Sequence, residues 1–475
     1  MPVLRLRAVA AAALACAASG VFAADAAPPA RAAHPTLALP ESGAAGQRAI
    51  DLLGANLPAV AAAYGKTPEA LRDMLAHDRT VRLDATGRLY VVEELDAPIP
   101  PSQHPFAAAT PTAPAPLDQT FLLHSRAKAQ RTVYLNFKGA VLQGTAWNGS
   151  TPTINAQPYD IDGNSGNFSD TELQRIQGIW QRVAEDYSPF DVDVTTEAPP
   201  AARLTRTDAN DLEFGTTALI TNHDGVYSCS CGGVAYVGIY DDTSDYYKPA
   251  LVFFDMLAGG DEKDVAEAIS HEVGHNFGLS HDGTSTTGYY GGQGSGPTGW
   301  APIMGVGYYQ PLVQWSQGEY ADANNKEDDI QVIQDHGGPL RKDDHGNTTA
   351  KASPLTAQVS GTQVLLSAKG VIERRADKDV FKFSAGAGAS TFTLAPDSRS
   401  GNLDISVKLQ DAAGKVLAKS NPVGALGASI AFALPAAGTY YLVVSGVGEG
   451  DPAATGYSDY GSLGQYAISG SAKAP

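Results

Sequence analysis

The chain has 475 residues, 43% hydrophobic and 18% charged, a globular composition in a chain long enough for two or three domains. Its 33 basic against 51 acidic residues leave a net charge of −18, which argues against nucleic acid and anionic membrane surfaces as partners. Fifty Gly and 30 Pro favour loop-rich and β-rich folds over helical bundles.

Residues 1–24 read as a secretory signal peptide. Arg5 and Arg7 precede an apolar, Ala-rich stretch over 8–18, and Val21-Phe22-Ala23 offers the small residues of a cleavage site. No later run reaches the roughly 18 apolar residues of a membrane span, so a secreted, extracellular protein without a transmembrane helix is expected. Signal removal takes Cys16 with it and leaves Cys229 and Cys231. In an oxidising compartment these two either close a small-loop disulfide or stay as thiols.

Short amphipathic helical patterns follow over 50–76, then a hairpin over 85–94 with Thr86-Gly87 at its turn. A Pro-, Ala- and Thr-rich linker without apolar periodicity spans 97–116. An alternating strand begins at Arg131, and Ser169-Asp170-Thr171-Glu172 is a capping box opening a helix that runs to about Tyr187. Strand patterns recur at 190–194, 216–221, 233–240 and 250–254. Asp160-Ile161-Asp162-Gly163-Asn164 is a turn that could hold Ca²⁺, although the Gly and Glu of an EF-hand loop are missing from their positions.

The stretch His271-Glu272-Val273-Gly274-His275-Asn276-Phe277-Gly278-Leu279-Ser280-His281 carries the chemistry. Residues four apart on a helix share a face, so His271 and His275 can hold one Zn²⁺. Glu272 is rotated by about 100° and stands beside the metal without binding it. Gly278 can take a positive φ, end the helix and bring His281 back as a third ligand. Asp261 is positioned as N-cap, and Val265, Ala266, Ile269, Val273 and Phe277 form the opposite, apolar face. Asn276 interrupts that face, and the sequence gives no reason for it. Farther on, Met304 lies in a turn-rich stretch, and residues 327–336 read as a closing helix. Residues 341–355 form a polar linker, and strand patterns at 359–367, 379–383, 390–395, 403–410, 429–434, 438–444 and 465–470 indicate a β-sandwich.

His271 through His281, followed directly by Asp282 and later by Met304, resembles the metzincin zinc proteases of the reprolysin-like (adamalysin-like) kind. The resemblance implies an α+β catalytic domain over 129–340, built on a twisted, mixed five-stranded sheet. It implies one catalytic Zn²⁺ on His271, His275 and His281, Glu272 as general base toward a zinc-activated water, and Met304 as an apolar floor. It also implies that Gly233, Val234, Ala235, Tyr236, Val237 and Gly238 form the antiparallel edge strand along the cleft, where a peptide substrate could add as a strand. The fifth, Tyr ligand of some relatives is not expected, because Val306 stands two residues after the Met. Residues 371–383 together with 438–444 resemble a bacterial pre-peptidase C-terminal domain, which implies an all-β sandwich over 356–475.

Residues 25–128 are then expected to be a propeptide, and the whole a secreted zinc endopeptidase acting on proteins or peptides. The alternatives are a secreted adhesin or binding protein with a relic metal site, or a zinc hydrolase of non-peptide amides. Reprolysin-like proforms often block zinc with a propeptide cysteine, and residues 25–128 contain none. A steric block, or a carboxylate or imidazole, is expected instead; Asp73, His77, Asp78, Glu93, Glu94 and Asp96 are among the available groups.

Overall fold

A computed structural model describes residues 32–95, 99 and 113–475. The signal peptide and most of the 97–116 linker lie outside the described residues. Helices α1 (Gly46–Leu53), α2 (Leu57–Ala63) and α3 (Pro68–His77) and the strands β1 (Val81–Leu83) and β2 (Leu89–Glu94) make an N-terminal unit. Its core gathers Ile50, Leu53, Leu57, Val60, Leu71, Leu75, Leu83 and Leu89. The hairpin begins at Val81, earlier than the sequence pattern suggests. Asp84 Oδ1 accepts from the backbone N–H groups of Thr86 and Arg88, each at 2.8 Å, and closes the turn.

The strands β3 (Arg131–Asn136), β6 (Val192–Thr195), β7 (Phe214–Thr221), β8 (Cys231–Tyr236) and β9 (Ala250–Phe253) form the expected five-stranded mixed sheet. A separate two-stranded ladder pairs β4 (Ala140–Leu142) with β5 (Ile154–Ala156). β3 runs parallel to β6 and β7, and β7 to β9, while β8 is antiparallel to β9. The sheet does not stop there. β2 pairs antiparallel with β8 and β1 with β2, so seven strands run in the order β1-β2-β8-β9-β7-β3-β6. The edge expected to be open is therefore covered. The strand is also shorter than expected. It ends at Tyr236, Val237 packs into the core of the N-terminal unit, and the Gly238 N–H donates to the His275 carbonyl at 2.8 Å.

Helix α4 (Asp170–Asp186) starts with the capping box, the Ser169 N–H donating to Glu172 Oε2 at 2.7 Å. Helix α5 (Glu262–Asn276) carries the histidines and is capped by Asp261, whose Oδ1 accepts from the Lys263 N–H at 2.9 Å. It is buried on every side from Asp264 to Asn276. Asn276 now has its reason. Its Oδ1 accepts from Thr216 Oγ1 at 2.6 Å and its Nδ2 donates to the Tyr236 carbonyl at 3.0 Å, tying the helix to β7 and β8. The short pair β10 (Trp300–Pro302) and β11 (Leu312–Gln314) and helix α6 (Asp329–Asp335) complete the domain.

The C-terminal region is a sandwich of two five-stranded sheets. One holds β12 (Ser353–Pro354), β15 (Asp379–Ala385), β17 (Ile405–Gln410), β18 (Val416–Ser420) and β20 (Gly438–Gly446). The other holds β13 (Thr356–Ser360), β14 (Gln363–Ile372), β16 (Gly388–Pro396), β19 (Ala428–Leu434) and β21 (Gly464–Lys473). The single pattern at 359–367 is the join of two strands, turned at Gly361 with φ +62°. The sandwich docks on α4 and α5. Asn402 Nδ2 donates to Asp186 Oδ1 at 2.8 Å, Gln465 donates through N and Nε2 to the two Glu185 oxygens at 3.0 and 2.9 Å, and Arg399 pairs with Glu262.

Candidate metal centre

Helix α5 presents His271 and His275 one turn apart, and the chain reverses at Gly278, where φ is +99°. A Cβ there would lie 2.5 Å from His336 Nε2, so both the backbone angle and the space require glycine. The reversal delivers His281 to the other two imidazoles, with ring centroids 4.8 Å from His275 and 5.2 Å from His271.

Each ring is oriented through its Nδ1. His271 Nδ1 lies 2.9 Å from the Ile303 carbonyl, His275 Nδ1 2.8 Å from the Leu279 carbonyl, and His281 Nδ1 2.7 Å from Asp78 Oδ2. Carbonyl and carboxylate oxygens only accept, so Nδ1 carries a proton in each ring, and the three Nε2 atoms are turned toward one point. Met304 is fully buried beneath the helix. A Cβ on Gly274 would come within 2.7 Å of its sulfur, so the thioether fills the space under the middle of the motif.

The fourth group at that point is Glu93, from β2. Its Oε1 lies 2.8 Å from His281 Nε2, 3.2 Å from His275 Nε2 and 3.4 Å from His271 Nε2, while His275 and His281 Nε2 are 3.0 Å apart. Donors about 2.0–2.1 Å from a tetrahedral centre are separated by roughly 3.3 Å, so the set has the dimensions of a four-coordinate site. His271 Nε2 is buried without a hydrogen-bond partner, as a ligand atom awaiting a metal would be. The Tyr289 hydroxyl donates to the other Glu93 oxygen, and its ring packs 4.5 Å from His281.

Glu93 reaches this position through an irregularity in the ladder. Between Val92 and Glu94 β2 advances two residues while β8 advances three, from Val234 to Cys231, so Gly232 and Gly233 lie opposite Glu93. Gly233 also makes room for Glu272, because a Cβ there would lie 2.1 Å from Glu272 Oε1. Both Glu272 oxygens are buried and without hydrogen-bond partners. They line a cavity of about 80 Å³ with Glu93, His271, Leu95, Tyr289, Val306 and Tyr308.

The two carboxyls are driven apart electrostatically. Burial alone would raise the Glu93 pKa, but the His281 and His271 imidazoles outweigh it and hold the group well below the usual range. Glu272 is pushed well above that range, first by burial and then by the Glu93 charge. Burial lowers the His275 pKa to about 4, which keeps the ring in its neutral, ligating form.

The structure brings together His271, Glu272, His275, His281 and Met304, and lays Gly233 and Val234 beside them. Cys229 and Cys231 are disulfide-bonded at the start of β8, and neither is among the residues that line the cavity. Sequence reasoning left Glu93 unranked among six groups and gave Tyr289 no role. The one signal for Glu93 was a carboxylate ending an otherwise apolar strand, Leu89-Tyr90-Val91-Val92.

Comparisons with known proteins agree with this geometry. The pattern of the metallopeptidase family M12B, reprolysin-like, matches residues 173–282. That of the bacterial pre-peptidase C-terminal domain matches residues 377–446. No curated protein matches the chain. Among solved structures, the pre-peptidase C-terminal domain of the Bacillus anthracis collagenase aligns at 16% identity, over 26% of this chain and 99% of its own, with a TM-score of 0.18. OgpA from Akkermansia muciniphila aligns at 11% identity, over 67% of this chain and 83% of its own, also at 0.18. Scores this low add nothing to the family matches.

Proposed function

Because the chain carries a reprolysin-like M12B metallopeptidase domain followed by a bacterial pre-peptidase C-terminal domain, we propose that it is a secreted zinc endopeptidase whose residues before 129 are a propeptide. The observation that supports this reading is the convergence of three imidazole Nε2 atoms beside the unpartnered carboxyl of Glu272. His271, His275 and His281 would hold the zinc, which when bound supplies Lewis acidity toward a water and the scissile carbonyl. Glu272 takes the proton of the attacking water and returns it to the leaving amine. Met304 packs beneath the ligands without binding. The backbone of β8 offers a ladder on which an extended peptide can lie once β2 is gone.

A binding module with a relic site fits less well. Keeping a carboxyl buried without a partner costs stability, and the role of general base beside the metal gives it a use. The test is hydrolysis of casein or a mixed peptide library by the protein freed of its N-terminal unit. Activity should vanish with a chelator, return with zinc, and be lost in Glu272→Gln at unchanged zinc content. A freed, zinc-loaded protein that cleaves no peptide in the library would refute the reading.

Calcium has better support at the base of the sandwich than at the Asp160 turn. At that turn Asp160 Oδ1 is taken up by the N–H groups of Asp162, Gly163 and Asn164, and both Glu172 oxygens accept backbone bonds. Asp343 gathers with Asp344 and Glu373, and again with Asp377 and Asp379, with donor oxygens within 4.8 Å of one another. Glu373 Oε2, Asp377 Oδ2 and Asp379 Oδ1 are buried and unpartnered. Hard, all-oxygen donors of this kind suit Ca²⁺.

A further inference from the structure

Resting on the metallopeptidase reading, we propose that the N-terminal unit is a two-carboxylate latch on the metal: Glu93 serves as the fourth protein donor and Asp78 fixes the third histidine from behind. Cleaving the chain therefore does not by itself open the centre. Removing the unit both opens it and loosens its metal.

Three observations carry this. The first is that Glu93 is aimed. The ladder irregularity at Gly232-Gly233 turns its side chain into the triad, and Tyr289 satisfies the oxygen that the triad does not use. A carboxylate present by accident would not have its second oxygen supplied with a donor inside the same pocket. The second is that the orienting partners of His271 and His275 are carbonyls of their own domain, whereas that of His281 is Asp78 of the N-terminal unit. The Thr80 N–H and hydroxyl donate to Asp78 Oδ1, the N–H at 3.0 Å, which leaves Oδ2 for the ring. Partners of this kind fix the tautomer and raise ligand basicity, and losing one costs about 10–100-fold in metal affinity.

The third is how the latch is held. Asp78 and Glu93 stand at the two ends of one hairpin, whose core is shared with the helices of the N-terminal unit and joined only by Val237 from the other side, so they leave together. The N-terminal unit is seated through the β2–β8 ladder, Arg88 on Asp242 at 3.0 Å, Thr86 on Tyr247 at 3.0 Å, Lys66 on Glu327, and Tyr90 packed 5.2 Å from Tyr236. None of these contacts depends on the covalent link between residues 95 and 131. β2 also lies antiparallel on β8, in the place where a substrate strand would lie, so one element blocks both the metal and the peptide ladder.

The test uses the full chain carrying Glu272→Gln, which prevents self-cleavage. Zinc transfer to a colorimetric chelator is timed, and the visible spectrum of the cobalt-substituted protein is recorded. Glu93→Gln and Asp78→Asn should each speed zinc loss by about tenfold or more, and Glu93→Gln should also shift the cobalt bands. A cut made in the 96–131 region should change neither readout while the pieces stay together. An unchanged rate and spectrum in Glu93→Gln would overturn the latch. Should that variant fail to fold, Tyr289→Phe keeps the ring, removes the donor to Glu93 Oε2 and must still move the cobalt bands; bands that stay put count against the proposal equally. A latch that fails while zinc binds and His275→Ala abolishes binding leaves the metallopeptidase reading intact. A full chain that takes up no zinc overturns both.

Discussion

Glu93 Oε1 lies 2.8 Å from His281 Nε2, although 188 positions separate the two residues. The contact joins a strand of the N-terminal unit to a loop of the metallopeptidase domain. It places a carboxylate where a catalytic zinc site keeps its open position. Residues 25–128 contain no cysteine, and the group that the N-terminal unit brings to the three imidazoles is this carboxylate.

Gly233 should be intolerant of a side chain for a local reason. A Cβ would stand 2.1 Å from Glu272 Oε1, and backbone on one side and a buried helix on the other leave little room to yield. Gly233→Ala in the freed protein should lower kcat/KM by at least about tenfold, a loss of roughly 1.4 kcal/mol in transition-state stabilisation, with zinc content unchanged. Wild-type activity in that variant would mean that the position of Glu272 is not critical.

Asn276→Ala should destabilise the domain without touching a ligand. It would leave the Thr216 hydroxyl and the Tyr236 carbonyl, both buried, without their partner. Leaving such groups unsatisfied costs about 1–3 kcal/mol each. Chemical denaturation of the full chain should show a loss of about 2–6 kcal/mol for the two groups together, and a change below about 0.5 kcal/mol would place the helix anchorage elsewhere.

The polar stretch after the catalytic domain suggests a separable C-terminal sandwich, and the packing argues otherwise. A chain ending at Gly338 would lose Asn402 from Asp186 and Gln465 from Glu185, uncovering two buried carboxyls and the α4–α5 surface. Such a chain should be poorly soluble or melt well below the full protein. Normal melting and zinc uptake in the truncated chain would show the docking to be dispensable.

The carboxylates at the base of the sandwich make stability depend on pH. Burial, then neighbouring carboxylates, raises Glu373 to about 8 and Asp377 to about 6, and burial raises Asp379 to about 9. Folded pKa values above the unfolded ones mean stability that is full below about pH 4 and is lost as pH rises through 6 to 9. In chelator the sandwich should therefore melt at falling temperatures from pH 5 to 9, and millimolar Ca²⁺ should cancel the slope. A flat profile in chelator would contradict the assigned ionisation.

Much of the metal centre could be read from the chain because its spacing is local. His271 and His275 are bound to share a helix face, Gly278 marks the reversal, and His281 lies three residues beyond it, so helical geometry and one positive φ fix the triad. Asn276 could not be read in the same way. Its partners Thr216 and Tyr236 lie 60 and 40 residues away on β7 and β8. Tyr289 stood in a Gly-rich loop with no periodicity to aim it.

The sequence by itself determined the clustering of His271, His275 and His281 beside Glu272, the five strands of the central sheet and the sandwich, since each rests on local spacing. Only the tertiary structure decided what covers the edge strand and which of six candidate groups reaches the metal. Asp78 and Glu93 are brought to the triad by a strand pairing between segments some 140 residues apart, Val91 on Ala235 and Val92 on Val234. Side-chain periodicity along one strand fixes which residues face which way, but not which strand it will pair with or in what register.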